Sequence, residues 1–279
     1  MRGRVVCSLS LLLVCLASSA RADDDGTPVF VKLGPDAPGV AVDVSFVRTQ
    51  LSWNPSWPYP EWMRRVDLRV EALADAGYGG YVEFAAHDWF DSSVGDLDVG
   101  AIYRRVLGGG RSIAGRIGVV LPTGSDEIFV GADIPTTEIA DPSDLVRAYP
   151  ETTFLRFAIA PTLHRASILR LDVGVDVPVA GEEYEYPGVP PTRWTLGLDG
   201  VLHLDAGVAV RSGPVAVAVE LQVVDALWES GSDWSASAHA TFQVPMPNGT
   251  PFAGVTLPLG ADVRTETPFA LVLGARFPL

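Results

Sequence analysis

The sequence predicts an all-β protein, an antiparallel up-and-down transmembrane β-barrel of about 12 strands. Three observations carry this expectation. Apolar side chains recur at every second position from about residue 41 to the end, a spacing that separates two faces on a strand and scatters them on a helix. Most of the alternating runs hold ten or more residues. Ordinary strands average about five or six, whereas a tilted strand crossing a bilayer needs about 9–11. After the first run the connections alternate between short turns and longer loops, as they do when strands thread up and down through a membrane.

Composition bounds the alternatives. The chain has 279 residues with 20 basic against 34 acidic side chains, 48% hydrophobic and 19% charged. So apolar a chain is not disordered, and so acidic a chain lacks the basic face of a nucleic-acid partner. Residues 1–22 have the form of a secretory signal peptide: Arg2 and Arg4, an apolar run from Val5 to Leu16, and Ala20-Arg21-Ala22 as cleavage site. The run is too short for a membrane anchor. Removing it takes three arginines and both cysteines, Cys7 and Cys15, leaving 17 basic against 34 acidic residues. The exported chain then has no disulfide framework and no thiol chemistry. Residues 23–40, rich in Asp, Gly and Pro, read as an irregular N-terminal lead segment or a small plug. Residues 41–279 are the expected barrel.

The expected strands run in order from 41–53. Over 63–75, Val66, Leu68, Val70 and Ala72 alternate with Asp67, Arg69 and Glu71. That phase is preferred to an amphipathic helix over 61–76, which Trp62, Val66, Val70 and Leu73 would also fit. Strands over 80–90, 96–107, 111–122 and 153–163 follow. In 167–179, Leu169, Leu171, Val173, Val175 and Val177 oppose Arg170, Asp172, Gly174 and Asp176. The clearest run is 193–211, with Trp194, Leu196, Leu198, Leu202, Leu204, Val208 and Val210 on one face. Next, 214–228 places Val215, Val217, Val219, Leu221 and Val223 together. Strands over 234–244, 251–261 and 267–278 complete the set. The short turns are at 76–79, 108–110, 164–166, 212–213 and 245–250, the last holding Asn248-Gly249, a tight-turn pair. On the other side lie 54–62, 123–152, 180–192 and 229–233, with 91–95 and 262–266 shorter. Within the longest, Asp141-Pro142 opens a short predicted helix.

Tryptophan supports one common rim. Trp53, Trp62, Trp89, Trp194, Trp228 and Trp234 fall at the ends of predicted strands on the long-loop side, and Trp57 falls in a loop there. Such residues form the aromatic girdle where a barrel meets lipid headgroups. Tyr78, Tyr81 and Tyr103 fall near the opposite rim. At the C-terminus, Phe269, Leu271, Leu273, Ala275, Phe277 and Leu279 share one face. The pattern Gly274-x-x-Phe277-x-Leu279 resembles the signal read by the outer-membrane barrel-assembly machinery, an implied partner alongside outer-membrane lipid.

Residues 95–124 carry a more specific resemblance. Gly95-Asp96-Leu97-Asp98-Val99-Gly100-Ala101-Ile102-Tyr103-Arg104-Arg105 and Gly118-Val119-Val120-Leu121-Pro122-Thr123-Gly124 resemble the outer-membrane β-barrel family associated with meta-pathway phenol degradation. The resemblance covers about 30 residues, and Ile102 stands where a basic residue is usual. It implies a barrel broadly related to hydrophobic-compound channels and brings no catalytic residues.

If the apolar phase faces lipid, the other phase lines the lumen. The lumen candidates are Arg69 and Glu71, Glu83 and His87, Asp98 and Arg104, Arg116, and Arg156. Further along they are Arg170, Asp172 and Asp176, then Asp199, His203 and Asp205, then Glu220 and Gln222, His239 and Gln243, and Arg276. Charges of both signs either pair across the interior or set the field that a solute meets. Twelve strands lie between the eight that side chains fill and the sixteen that leave an aqueous channel, so a narrow passage is favoured. No catalytic residues, metal site or cofactor are expected. His87, His203 and His239 sit on three separate strands. Ser235 and Ser237 share a strand with His239 without forming a triad. Gly108-Gly109-Gly110 precedes a strand pattern rather than the helix of a phosphate loop. Together these readings imply a bacterial outer-membrane barrel, not an enzyme, for passive passage of small solutes, hydrophobic or aromatic ones included. The alternatives are a non-conducting structural or surface-interaction barrel using loop 123–152, and a soluble secreted β-sandwich.

Overall fold

Strands this long with an apolar face cannot leave an edge open to lipid, because each unpaired backbone N–H and C=O there costs several kcal/mol. The sheet meets that requirement by closing on itself. The computed structural model describes residue 30 and residues 39–50, 62–88, 92–124, 152–181, 198–228, 231–259 and 269–279. Its strands are β1 (Gly39–Gln50), β2 (Trp62–Leu73), β3 (Tyr78–Asp88), β4 (Ser92–Val94), β5 (Leu97–Gly108), β6 (Arg111–Leu121) and β7 (Thr152–His164). They continue as β8 (Ser167–Gly181), β9 (Leu198–Ser212), β10 (Val215–Trp228), β11 (Gly231–Gln243), β12 (Thr250–Pro258) and β13 (Phe269–Pro278).

Each long strand pairs antiparallel with the long strands before and after it, and β1 pairs with both β2 and β13, which closes the ring. The β1–β13 seam runs from Ala41↔Pro278 to Gln50↔Phe269, and the Leu279 N–H extends it with a bond to the Val40 carbonyl at 2.8 Å. The three-residue β4 adds no further wall. It pairs with the end of β3 while β5 pairs with the start, and the Gly95 N–H bonds the Ala85 carbonyl between them at 2.8 Å. The wall is therefore a closed 12-strand barrel, as expected. Residues 62–73 form a strand, so the alternation of Val66, Leu68 and Val70 outweighs the helical spacing in that segment. The predicted helix at 141–148 and the predicted strand start at 193–197 lie outside the described residues.

Five short connections gather at one end, here the turn end, together with Gly39 and Leu279. Three use left-handed glycines: Gly77 (φ 85°), the run Gly108-Gly109-Gly110 (φ 79°, 61° and 71°) and Gly213 (φ 60°). Two of these turns are fastened to their neighbours. The Arg104 N–H bonds the Gly77 carbonyl and the His164 N–H bonds the Gly110 carbonyl, both at 2.6 Å. The other end, the loop end, holds Gln50, Trp62, Leu121, Thr152, Trp228 and Phe269.

The outer face is apolar and uncovered. Phe46, Val82, Ile117, Phe157, Ile159, Val173, Leu204, Val219, Leu221, Phe242, Leu257 and Leu273 are all exposed. A row of this kind around a closed sheet is what a bilayer covers. Leu221 stands at the middle of β10, so Leu221→Arg is expected to destabilise the folded barrel by roughly 2–4 kcal/mol. Denaturant titration in lipid vesicles checks this, and unchanged stability would overturn the assignment of faces.

Candidate functional site

The inner face is built from the second phase of each strand, and its polar side chains are buried. Its best-connected part is centred on Arg156 of β7. Arg156 donates Nε to Asp176 Oδ1 (2.8 Å) and Nη2 to Asp176 Oδ2 (3.1 Å), a bidentate pair with β8. Its Nη1 reaches Asp98 Oδ2 of β5 at 2.5 Å, past the intervening β6. Tyr81 of β3 donates its hydroxyl to the other oxygen of Asp98, at 3.0 Å. His203 of β9 places Nε2 3.6 Å from Asp176 Oδ2. A second group lies beside the first. Arg69 of β2 donates to Glu71 (3.0 Å), stands 3.8 Å from Glu83 and places its guanidinium 5.8 Å from the Tyr81 ring centroid. Arg276 of β13 holds Asp43 of β1 with both Nε and Nη2, at 2.5 and 2.7 Å. Arg65 and Asp67 pair on β2, and Ser45 donates to Asp67 at 3.1 Å. Arg170 stands 3.7 Å from Asp172 on β8.

Glycines in the inward phase make room for this network. Tyr81, Gly100, Gly118 and Arg156 are successive cross-strand neighbours in one row. A Cβ on Gly100 or Gly118 would fall inside 3 Å of the Tyr81 side chain. The ring therefore lies along the wall over two bare glycines instead of pointing at the barrel axis. The same device recurs twice. His203 lies over Gly174, and Phe252 lies over Gly274, its partner on β13.

The strands β10 to β12 carry a different lining of amides, hydroxyls and alanine. Ser237 donates to Gln222 (3.3 Å), His239 Nδ1 shares a hydrogen bond with Thr256 Oγ1 (2.7 Å), and Gln243 donates to Thr241 (2.9 Å). Glu220 is fully buried in this wall, and Asp205 on the adjoining β9 is buried as well.

Most lumen candidates fall in the buried phase: Arg69, Glu71, Asp98, Arg170, Asp172, Asp176, His203, Glu220 and His239. Glu83, Arg104, Arg116, Arg156 and Arg276 are half-buried in the same phase, and Asp199, near the start of β9 at the loop end, is exposed. His87 pairs with Arg65 on the backbone, and its side chain lies outside the described residues. Tyr81 sits near the turn end as expected, and it points inward, because it shares the phase of Glu83 and finds Asp98 there. Asp43, Asp67 and Phe30, not among the lumen candidates, are also part of the interior. The inward glycines were the readable signal, since glycine inside a strand marks a close approach.

The 95–124 segment has a structural explanation. The Gly124 N–H donates to Asp96 Oδ1 at 2.8 Å and the Leu97 N–H to Thr123 Oγ1 at 3.0 Å, clamping the loop ends of β5 and β6. Asp98, Gly100 and Gly118 form the Tyr81–Arg156 trough. Of the girdle candidates, Trp62, Trp228 and Trp234 lie at the loop end of β2, β10 and β11. The Trp234 side chain is 65% exposed on the outer face. The side chains of Trp62 and Trp228, and all of Trp53, Trp89 and Trp194, lie outside the described residues. At the C-terminus, Gly274 receives the Phe252 ring and Leu279 is exposed. Among the described residues no group of three or more His, Cys, Asp or Glu is arranged to hold a metal.

An apolar outer band around a closed 12-strand wall, with an ion-paired inner face, defines a transmembrane β-barrel. No protein-family model matches the sequence, and no curated protein sequence matches it. Solved structures do share the fold. The COG4313 outer membrane channel from Pseudomonas putida F1 superposes with a TM-score of 0.61 at 11% identity, over 91% of this chain and 99% of that one. The NanC porin gives 0.57 at 12% identity over 85% and 100%. The KdgM porin, solved with a disordered oligogalacturonate, gives 0.53 at 10% identity over 86% and 99%.

Two outcomes follow from the network. Arg156→Leu leaves Asp98 and Asp176 buried without their shared cation and is expected to cost roughly 3–5 kcal/mol, read by denaturant unfolding. Gly100→Ala is expected to destabilise the barrel by crowding both Tyr81 and the Ile117 carbonyl, and Tyr81→Ala to relieve the first part of that loss. A double-mutant cycle should give a coupling of about 1 kcal/mol or more, and additive effects would remove Tyr81 from the trough.

Proposed function

We propose that this chain is a passive outer-membrane channel for small solutes, with no energy source. The observation that carries this reading is where the inner side chains lie. Arg156, Tyr81, His203 and Phe252 are held along the wall by paired charges and bare glycines. A barrel built only to be filled would point them at one another. The shared fold with the COG4313 channel and the NanC and KdgM porins supports the same reading.

The lining favours a narrow path for polar or amphipathic solutes. Its charges are largely neutralised in pairs, and amides and hydroxyls line β10 to β12. A hydrophobic or aromatic solute, as the phenol-pathway resemblance implies, would pass here most readily if it carried a polar group able to meet those amides. Trp234 and its fellow rim tryptophans would anchor the loop end at the headgroups, and the C-terminal strand ending in Phe277 and Leu279 would be read by the barrel-assembly machinery.

The test is single-channel recording of residues 23–279 refolded into a planar bilayer. Discrete, reproducible small steps are expected, with block by solutes of the transported class. Verified insertion without steps would favour a structural or surface-interaction barrel instead.

A further inference from the structure

The lipid-facing wall is not evenly filled. In the outward phase of β6, Gly115 stands between Ile113 and Ile117. Tyr78, Tyr103, Gly115 and Ile159 are successive cross-strand neighbours in one row. The Tyr78 and Tyr103 rings meet at one end of it, their centroids 4.9 Å apart and their planes tilted by 40°. With Ile117 and Phe157 on the loop side, these residues line an open apolar groove of about 750 Å³. That volume lies in the range of about 300–1,000 Å³ typical of small-ligand sites. Gly115 is its floor. A Cβ built there would come no closer than 4.0 Å to the Ala158 carbonyl oxygen. The wall therefore has room for a side chain at 115, and its absence keeps the groove open.

Positive charge gathers beside the same strands. Arg105, Arg111 and Arg165 stand at the turn ends of β5, β6 and β7, and all three are exposed. Arg105 shares the outward phase of Tyr103 and lies two residues nearer the turn. Arg111 shares the outward phase of Gly115 and lies four residues nearer the turn. These offsets are about 7 and 13 Å along a strand. Arg165 follows His164 in the next turn. Arg111 donates Nε to the Gly108 carbonyl at 3.5 Å. Among the described residues no carboxylate forms an ion pair with any of the three. The five turn-end connections hold one acidic side chain, Asp75, in the β2–β3 turn. In a chain of 34 acidic and 20 basic residues, three arginines on consecutive strand ends reverse the overall sign of charge.

We propose that this face of β5 to β7 docks one anionic phospholipid, with its phosphate on Arg105, Arg111 and Arg165 and an acyl chain in the Gly115 groove. The guanidinium fork matches phosphate oxygens. At the level where the apolar wall ends, basic side chains meet anionic headgroups rather than hydrocarbon. The short-turn end of such barrels faces the periplasm, so the lipid belongs to the periplasmic leaflet. A second copy of the barrel is the poorer occupant. A two-fold contact on this face would set the arginines against their own copies, and like charges oppose such a contact. The site does not depend on whether the lumen conducts.

Native mass spectrometry tests this, on the folded barrel released from micelles holding equal phosphatidylglycerol and phosphatidylcholine. The gel-mobility shift on heating confirms that each variant is folded. The parent is expected to retain one phosphatidylglycerol in preference, and equal retention of the two lipids would overturn the proposal. Each of Arg105→Gln, Arg111→Gln and Arg165→Gln is expected to weaken that preference about fivefold, and the three together to abolish it. An unchanged preference in the triple variant would remove the headgroup from these arginines and overturn the site. Gly115→Leu fills the groove from the lipid side and is expected to lower phosphatidylglycerol retention. Retention equal to the parent's would likewise overturn the proposal, since the acyl chain would lie elsewhere. Excess glycerol 1-phosphate should leave the bound lipid in place. Its displacement would make this a site for soluble anions and overturn the lipid assignment.

Discussion

Closure of the sheet is the constraint on which everything else in this molecule depends. In a hydrocarbon environment a strand edge has no water to satisfy its backbone, so the β1–β13 seam is a condition of the fold rather than an added contact. Ten residue pairs from Ala41↔Pro278 to Gln50↔Phe269 make that seam, between the first strand and the last. Once the ring is closed, each strand has one face toward lipid and one toward the interior. The side-chain alternation then distributes chemistry between them without further instruction. Errors of phase are not tolerated in such a wall, because a one-residue slip would turn Glu220 and Gln222 toward lipid and Val219 and Leu221 toward the interior.

The interior solves a second problem, that of burying many charges close together. Removing an ion from water is expensive unless its partners replace the lost hydration. Arg156 meets two carboxylates with three hydrogen bonds, Asp98 adds the Tyr81 hydroxyl, and Arg276 grips Asp43 twice. These bonds run between different strands, in one case past an intervening strand, so they also brace the cylinder. The glycines opposite Tyr81, His203 and Phe252 allow the rings to lie flat along the wall.

The stretch that most resembles a known family has a comparable double character. Asp96 and Thr123 tie the loop ends of β5 and β6 together, while Asp98, Gly100 and Gly118 form the trough that holds Tyr81 and meets Arg156. Each of these residues is explained by backbone geometry or by a buried bond. The motif is a structural joint in the wall, which is why it points to a fold more firmly than to a solute.

The two-residue period determined the strands, their faces and the turns, since alternation and glycine-rich reversals are local properties of the chain. It placed Arg69, Asp176, Glu220 and His239 on the buried face because phase along one strand needs no knowledge of the next. It also overrode the helical spacing at 61–76. What it left undetermined was which charges meet. Arg156 and Asp98 are 58 residues apart and on strands that are not adjacent. Their contact depends on the stagger between strands and on two glycines that leave space between them. The same holds for Tyr81, whose inward bond to Asp98 follows from that stagger, and for Phe30, which precedes the periodic region and meets Ile168, Ala209 and Ala218 only when three strands stand side by side. Local pattern assigns a residue to a face, whereas partners across the barrel exist only after the ring has closed in one register.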